Sequence, residues 1–248
     1  MERLTPVAGR NALGGPVVHL DRTGSTNDHA RELASAGAPH GTVVVAEEQT
    51  AGRGRQGRSW VAPRGRALTL SIVVRLGGAA LDLLPLSAAV AVCEACERAA
   101  PVHCAVKWPN DVWIEGRKVA GILIEARPQE GWAVLGIGLN VDTSEDELDE
   151  AIRYQATSLR IAAGSPAERE LALEALLERL AERLRTEREP LLAAYRERDA
   201  LHGRQIAWSA SGDRLEGKAE GIDDEGNLVV FTADGERHTL TAGEVHLL

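Results

Sequence analysis

Short runs of β-branched and aliphatic residues, each bounded by polar turns, recur along the first half of the chain. Such runs predict strands, and the turn residues between them set their limits. Val17-Val18-His19-Leu20 reads as a first strand, Gly41 to Glu48 as a second and Leu68 to Leu76 as a third. Ser25-Thr26-Asn27-Asp28 offers an N-cap with an acid three residues on, opening a helix that ends near Gly37. Gln49 to Arg66 is irregular, and Pro85 suits the first position of an Ala-rich helix running to about Ala99.

Strand then follows strand. Val102 to Trp108 leads through Pro109-Asn110-Asp111 into Val112–Ile114, a hairpin turn at Glu115-Gly116-Arg117 returns the chain along Val119 to Ala126, and Trp132 to Asn140 is one more. Ser165-Pro166 opens a helix continuing to about Glu189, where Pro190 interrupts the pattern and starts another to about Ala200. The remainder changes character, with short strands at Gln205–Trp208, Gly217–Ile222, Leu228–Phe231 and His238–Leu240. Their turns fall at Ser211-Gly212-Asp213, Asp223–Gly226 and Asp234-Gly235. Consecutive strands on short turns predict an α+β class with a mixed, largely antiparallel sheet. The closely spaced strands at the end predict a small β-barrel. The expected division is therefore 1–200 and 201–248.

Composition narrows the function. The chain has 248 residues, 44% hydrophobic and 26% charged, enough for a sizeable core. No apolar run approaches the ~18 residues of a membrane span, the N-terminus lacks a signal-peptide core, and three cysteines make no disulfide framework. A cytoplasmic protein is the expectation. The net charge of −9 is opposite to that of most nucleic-acid binders. Yet six arginines and no acid fall between Ala51 and Arg75, which suggests a local anion site.

That segment contains Gly52-Arg53-Gly54-Arg55-Gln56-Gly57. The spacing satisfies G-x-G-x-x-G, but Pro63 and Gly65 follow where a dinucleotide fold needs a helix, and no acid appears before Asp82. Glycines permit close backbone approach, Arg53, Arg55 and Arg58 supply guanidinium forks for a phosphate or carboxylate, and Trp60 offers a flat face. The bland alternative is a solvated loop. Lys107-Trp108-Pro109-Asn110-Asp111 alone is a turn signal, and Lys118 alone is a sheet-edge charge. Two glycines in Gly136-Ile137-Gly138-Leu139-Asn140 weaken a strand unless something packs on its backbone. Cys93 and Cys96 form C-x-x-C inside a helical run without further zinc ligands, so packing explains them.

Five segments taken together resemble the biotin protein ligase family. They are Gly-Ser-Thr-Asn at 24–27, Glu-Gln-Thr-Ala-Gly-Arg-Gly-Arg-Gln-Gly-Arg-Ser-Trp at 48–60, Lys-Trp-Pro-Asn-Asp-Val at 107–112, Arg-Lys-Val-Ala-Gly-Ile-Leu-Ile-Glu at 117–125 and Gly-Ile-Gly-Leu-Asn-Val at 136–141. The resemblance implies a catalytic domain like the class II aminoacyl-tRNA synthetase core and a C-terminal SH3-like barrel. It implies the reaction of biotin with ATP to biotinyl-5′-adenylate, then transfer to a lysine of a biotin carboxyl carrier domain. Ser25, Thr26 and Gln49 would hold the ureido head of biotin, with Asn27 and Gly121 in the same set. Gly136 and Gly138 would leave room for biotin. Arg53, Gly54 and Arg55 would wrap its carboxylate and the phosphates, and Lys118 would meet both as a fixed cation. Trp60 would stack on adenine. Arg58, Lys107 and Asn140 would lie on the nucleotide side, and Asn110 and Asp111 by the adenylate, with Mg2+ near Asp111.

Two departures from the resemblance bear on partners. About 16 residues precede the first strand, too few for a winged helix-turn-helix, so no DNA partner is expected. Gln155-Ala156-Thr157-Ser158-Leu159 lacks the aromatic residue that some members carry there, leaving Trp60 as the expected stacking face. No membrane is expected, and the chain is expected to be a monomer or weak homodimer. The Gln49–Trp60 loop is expected to be mobile without ligand and ordered when biotin or the adenylate binds, because its three glycines give the free backbone many states and its arginines repel one another until an anion arrives. A lipoate–protein ligase is the rival enzyme, but its Arg-Arg-x-x-Gly-Gly-Gly pattern is absent; a non-catalytic adaptor is the rival from another class.

Overall fold

The computed structural model describes residues 11–75, 77, 81–210 and 213–248. The expected end of the third strand at Leu76 and the turn residues Ser211 and Gly212 lie outside them. Among the described residues, no helix is long and apolar enough to cross a membrane.

Seven strands form the larger sheet. They are β1 (Val17–Leu20), β2 (Val43–Ala46), β3 (Ala67–Val74), β4 (Ala105–Lys107), β5 (Asp111–Ile114), β6 (Arg117–Arg127) and β7 (Trp132–Asn140). Their order is β1-β2-β3-β7-β6-β5-β4. β1 pairs with β2 in parallel and the other pairs are antiparallel, so the sheet is mixed but largely antiparallel. The β5–β6 hairpin turns at Glu115 and Gly116, both at positive φ (50° and 77°), as a two-residue turn matching strand twist requires. Every residue of β3 is buried, Thr69 and Ser71 included, which explains its largely apolar run.

Helix α1 (Thr26–Ser35) covers one face of this sheet, closing a small core around Leu20, Ala30, Val44, Val73 and Trp132. The other face carries α2 (Leu84–Ala99), α4 (Arg169–Arg183) and α5 (Arg188–Arg196), with the short α3 (Leu159–Ala163) preceding α4. Pro85 lies in the first turn of α2, where its missing N–H has no helical acceptor to lose. Cys93, Cys96 and Cys104 are buried free thiols in this core. Five further strands, β8 (Gln205–Ala210), β9 (Asp213–Ile222), β10 (Leu228–Phe231), β11 (Arg237–Leu240) and β12 (Val245–Leu247), form an antiparallel sheet in the order β11-β10-β9-β8-β12. Its inward residues Ile206, Trp208, Leu228, Val230 and Val245 join the main buried cluster.

Several boundaries differ from expectation. The strand expected over Val102–Trp108 is only Ala105–Lys107, and β12 was not signalled by so short an apolar run. Nor was α3, which Ser158 caps by accepting from the Ile161 N–H at 3.0 Å. The helix expected from Ser165-Pro166 starts at Arg169. The Ala167 N–H bonds Asp142 Oδ1 at 3.2 Å, and Glu168 stays extended as the N-cap, so the chain is pinned before it can coil. It breaks after Arg183, and Pro190 falls inside the first turn of α5.

Asp142 is therefore a clip between elements. Besides Ala167 it accepts from Arg160 at 3.1 Å and Arg66 at 3.0 Å. Burial pushes its carboxyl up, but the Ala167 N–H and the two guanidiniums outweigh that and hold it below the usual range. The Asp142→Asn change should lower stability by about 2 kcal/mol, the scale of a charged hydrogen-bonded group. Because the folded value is depressed, the contribution of this carboxylate is full above the unfolded value near 3.8 and is lost as pH falls through the lower folded value. Urea melts at pH 7 and pH 3 check this: the gap between the two proteins should narrow at the acid end.

Candidate active site

The N-terminus of α1 meets the middle of the larger sheet, and there Ser25, Thr26 and Asn27 are all buried. Ser25 stands at the N-cap without making a side-chain capping bond, so its hydroxyl is not committed to the helix. The Thr26 N–H and hydroxyl both donate to Gln49 Oε1, at 2.7 and 3.0 Å. Ser71, fully buried in β3, contacts Thr26 Oγ1 at 2.7 Å and Asn27 Oδ1 at 2.6 Å. Sequence reasoning missed Ser71; a hydroxyl inside an otherwise apolar strand was the available signal.

Gly136 and Gly138 lie on the same face of β7, beside Leu123 and Gly121 of β6. A Cβ on Gly136 would fall 2.2 Å from Asn27 Oδ1, and one on Gly138 2.3 Å from the Trp60 indole. The glycines were expected to leave room for biotin; both line the cavity, and the space of their missing Cβ atoms lets Asn27 and Trp60 approach the strand there. Ser25, Gln49, Gly54, Trp60, Lys118 and Gly121 are among the cavity's lining, and its empty volume is about 670 Å³.

Lys118 reaches this cavity through a bulge. Opposed residues share a sheet face, and Asp111 opposes Gly121 while Trp113 opposes Lys118. The register shift between Val112 and Trp113 thus puts Lys118 on the face of Gly121, although the two are three residues apart. β6 is interior, between β5 and β7, so Lys118 is no sheet-edge charge. Its Nζ lies 2.7 Å from Asp111 Oδ1 and 5.9 Å from the centre of the Trp60 ring. The backbone is held from both sides, the Lys118 N–H donating to Gln155 O and its carbonyl accepting from the Thr157 N–H, each at 2.8 Å.

Beyond Trp60 and Lys118 a wider groove of about 2100 Å³ continues past Lys107, Trp113, Asn140 and Tyr154. Lys107 lies 5.0 Å over the Trp113 ring, and burial lowers its ammonium pKa. Asn140 is buried and donates to Thr157 O at 3.0 Å. Trp60 is not the only aromatic face available: Tyr154, 89% exposed, stands one residue before the stretch that lacked one.

The arginine segment differs most from expectation. Acids distant in sequence meet most of its cations, although the charge on Arg58 still opposes that on Arg55. Arg53 pairs with Asp28 at 2.8 Å and Glu125 at 3.3 Å, and Arg58 with Glu244 at 2.8 Å. Arg64 pairs with Asp21, and Arg66 with Asp142 and Glu147. Among the described residues Arg55 has no carboxylate partner; Asn110 Oδ1 accepts from it at 2.9 Å. Burial lowers its pKa against the pull of Asp111, and the neighbouring Arg58 adds to the lowering. Asn110 in turn donates to Ile122 O at 3.1 Å, so it is a strut under Arg55. For magnesium the side chains fit poorly: Asp111 is the ion-pair partner of Lys118, and the described residues contain no group of three ligating side chains. Any magnesium would have to arrive on the substrate phosphates.

The chain matches the Biotin/lipoate A/B protein ligase family over residues 19–142 and the Biotin protein ligase C terminal domain over 201–248. It is 36% identical to the biotin--[acetyl-CoA-carboxylase] ligase of Mycobacterium tuberculosis, covering 90% of this chain and 86% of that one. To the bifunctional ligase/repressor BirA of Bacillus subtilis it is 34% identical, covering 93% and 74%. The biotin protein ligase of Aquifex aeolicus, solved in complex with biotin and ATP, superimposes with a TM-score of 0.82 at 28% identity, covering 94% of this chain and 98% of that one.

The close approach at Gly138 predicts that Gly138→Ala displaces the Trp60 ring. Overpacking of this kind costs about 1–3 kcal/mol. The tryptophan emission of the variant should shift, and the shift should vanish when Trp60 is also changed to Phe. A persistent shift would mean that another tryptophan had moved.

Proposed function

From the premise that the chain belongs to the biotin/lipoate A/B protein ligase family, we propose that it activates biotin with ATP and passes the biotinyl group to a lysine of a biotin carboxyl carrier domain. The observation that carries this reading is the junction of the two cavities. Lys118 and Trp60 border both the pocket at the N-terminus of α1 and the wider groove beyond it, so two ligands would meet at one cation.

On this reading the pocket at the N-terminus of α1 takes biotin. Its ureido head needs an acceptor and donors, and Ser25, Thr26 and Gln49 offer them beside the apolar Leu70, Ile122 and Leu123. The nucleotide lies along the groove, with Trp60, Trp113 and Tyr154 as ring faces and Arg58 and Lys107 near its phosphates. A biotin carboxylate oxygen attacks the α-phosphorus, the bond to the bridging oxygen breaks, and pyrophosphate leaves with that electron pair. Lys118 and Arg55 bear the charge that accumulates as two anions come together. In the second step the neutral amine of the acceptor lysine attacks the anhydride carbonyl; AMP leaves and the nitrogen loses a proton. Arg53 contributes chiefly to docking the loop, since two carboxylates already offset its charge. Residues 1–200 carry this chemistry, while 201–248 supply part of the groove wall through Glu244, His246 and Leu247. The net charge of −9 supports a reading without a DNA partner.

Biotin-dependent ATP–pyrophosphate exchange tests the reading, with lipoate as the competing acid. Exchange with lipoate and none with biotin would overturn it. Within that assay Lys118→Ala should lower the exchange rate about a hundredfold or more while changing biotin affinity much less. Arg55→Gly should raise the dissociation rate of the adenylate more than it slows its formation, because Arg55 is the loop cation left uncompensated. A stopped-flow chase of the preformed complex measures that rate.

A further inference from the structure

Behind the wall of the pocket at the N-terminus of α1, two hydroxyl protons face three short contacts. Ser71 lies in β3 opposite Gly136 of β7 and is fully buried. Its Oγ is 2.6 Å from Asn27 Oδ1 and 2.7 Å from Thr26 Oγ1. Thr26 Oγ1 is in turn 3.0 Å from Gln49 Oε1. Each pair of oxygens needs a proton between them, and each hydroxyl has only one to give. The neighbours fix the direction in which those protons run. Glu125 Oε2 accepts from Asn27 Nδ2 at 2.8 Å, so Asn27 turns its carbonyl oxygen to Ser71 and can only accept there. The Ser71 proton is therefore committed to Asn27. Gln49 Oε1 accepts from the Thr26 N–H at 2.7 Å, so it too can only accept. The Thr26 proton is left with two acceptors, Ser71 Oγ and Gln49 Oε1, of which Ser71 is the nearer.

We propose that Ser71 is a positioning residue that sets the polarity of this end of the pocket; the proposal rests on the reading of the pocket as the biotin site. When a ligand is bound, Ser71 takes the Thr26 proton, and Thr26 Oγ1 and Gln49 Oε1 then face the ligand as a pair of acceptors that lacks one proton. Both residues line the pocket, whereas Ser71 is fully buried and acts through Thr26. The group that supplies the missing proton is a ring N–H, and a ureido ring carries two. A dithiolane ring carries none and would leave one of the three buried contacts without a proton. A site built to pair with a substrate N–H rejects an analogue lacking it for this reason, since its own polar groups are left unpaired. Discrimination would thus be built by a serine that no ligand touches.

Titration calorimetry with biotin in the absence of ATP tests the assignment. Ser71→Ala removes the nearer acceptor and returns the Thr26 proton to Gln49, where a ligand N–H must displace it. The biotin Kd should rise about tenfold, the scale of one hydrogen bond between neutral groups, while the KM for ATP in pyrophosphate exchange is unchanged. In a Thr26→Val background the same substitution should change the biotin Kd by no more than about twofold, because its effect runs through the Thr26 hydroxyl. Two biotins singly methylated on one or the other ureido nitrogen give a readout that loosened packing would not. The one whose methyl replaces the contributing hydrogen should bind Ser71→Ala and the unsubstituted protein about equally, and the other should show the tenfold loss. An unchanged biotin Kd in Ser71→Ala would overturn the proposal. So would the full loss in the Thr26→Val background, or the same loss for both methylated biotins. If the alanine variant does not fold, Ser71→Cys takes its place, because a thiol of similar size is a weak donor and acceptor, and the same losses are expected. If the unsubstituted protein binds no biotin, the functional reading itself fails; binding by that protein with no response to substitution removes only the role of Ser71.

Discussion

Asn27 Oδ1 and the Trp60 indole rest where side chains of Gly136 and Gly138 would otherwise stand. The remaining geometry of the cavity depends on that contact. Helix α1 can bring its N-terminus onto the sheet only because β7 is bare at Gly136, and the arginine loop can lay its tryptophan on the sheet only because β7 is bare at Gly138. In a close-packed interior a methyl group at either place has nowhere to go without moving its neighbour. Glycine usually weakens a strand, and here the weakness is offset by β3 and β6 pairing along the whole length of β7.

Charge is arranged on the same principle of short, specific contacts. The segment from Ala51 to Arg75 looks strongly cationic in isolation, yet the fold distributes acids from α1, β6, the end of β7 and the C-terminal sheet against it. Lys118 is paired with Asp111 as well. Partly exposed pairs contribute little to stability. Their larger effect is on geometry, since each fixes the direction of a long side chain that would otherwise sample many rotamers. Arg55 is left as the loop cation braced only by an amide, and a cation without a built-in counterion is the one most available to an incoming anion.

The C-terminal sheet is part of this arrangement and not an appendage. Its inward residues share the main core, Arg58 crosses to Glu244, and Trp108 donates through Nε1 to Gly226 O at 3.1 Å. The groove beyond Lys118 therefore has walls from both sheets, which couples the position of the smaller one to the surface that the nucleotide would occupy.

The sequence determined most of the elements and the candidate site residues. Turn chemistry at Glu115-Gly116 and the apolar runs marked β1, β3, β7 and β10, and the five glycine-, arginine- and lysine-bearing segments were recognisable by their order alone. Local signals of this kind survive in a linear reading because propensity and turn geometry act over a few residues. Tertiary structure decided the rest. Which acids meet Arg53 and Arg58, that Ser71 supports Thr26 and Asn27, that a bulge turns Lys118 toward the cavity, and that Asp142 delays the start of α4 all depend on partners separated by 20 to 190 residues or on register. No composition or spacing rule carries that information. An ion pair or a close glycine contact exists only once packing of the sheet and helices has brought the two positions within a few ångströms, and a shift of a single residue in register sends the same side chain to the opposite face.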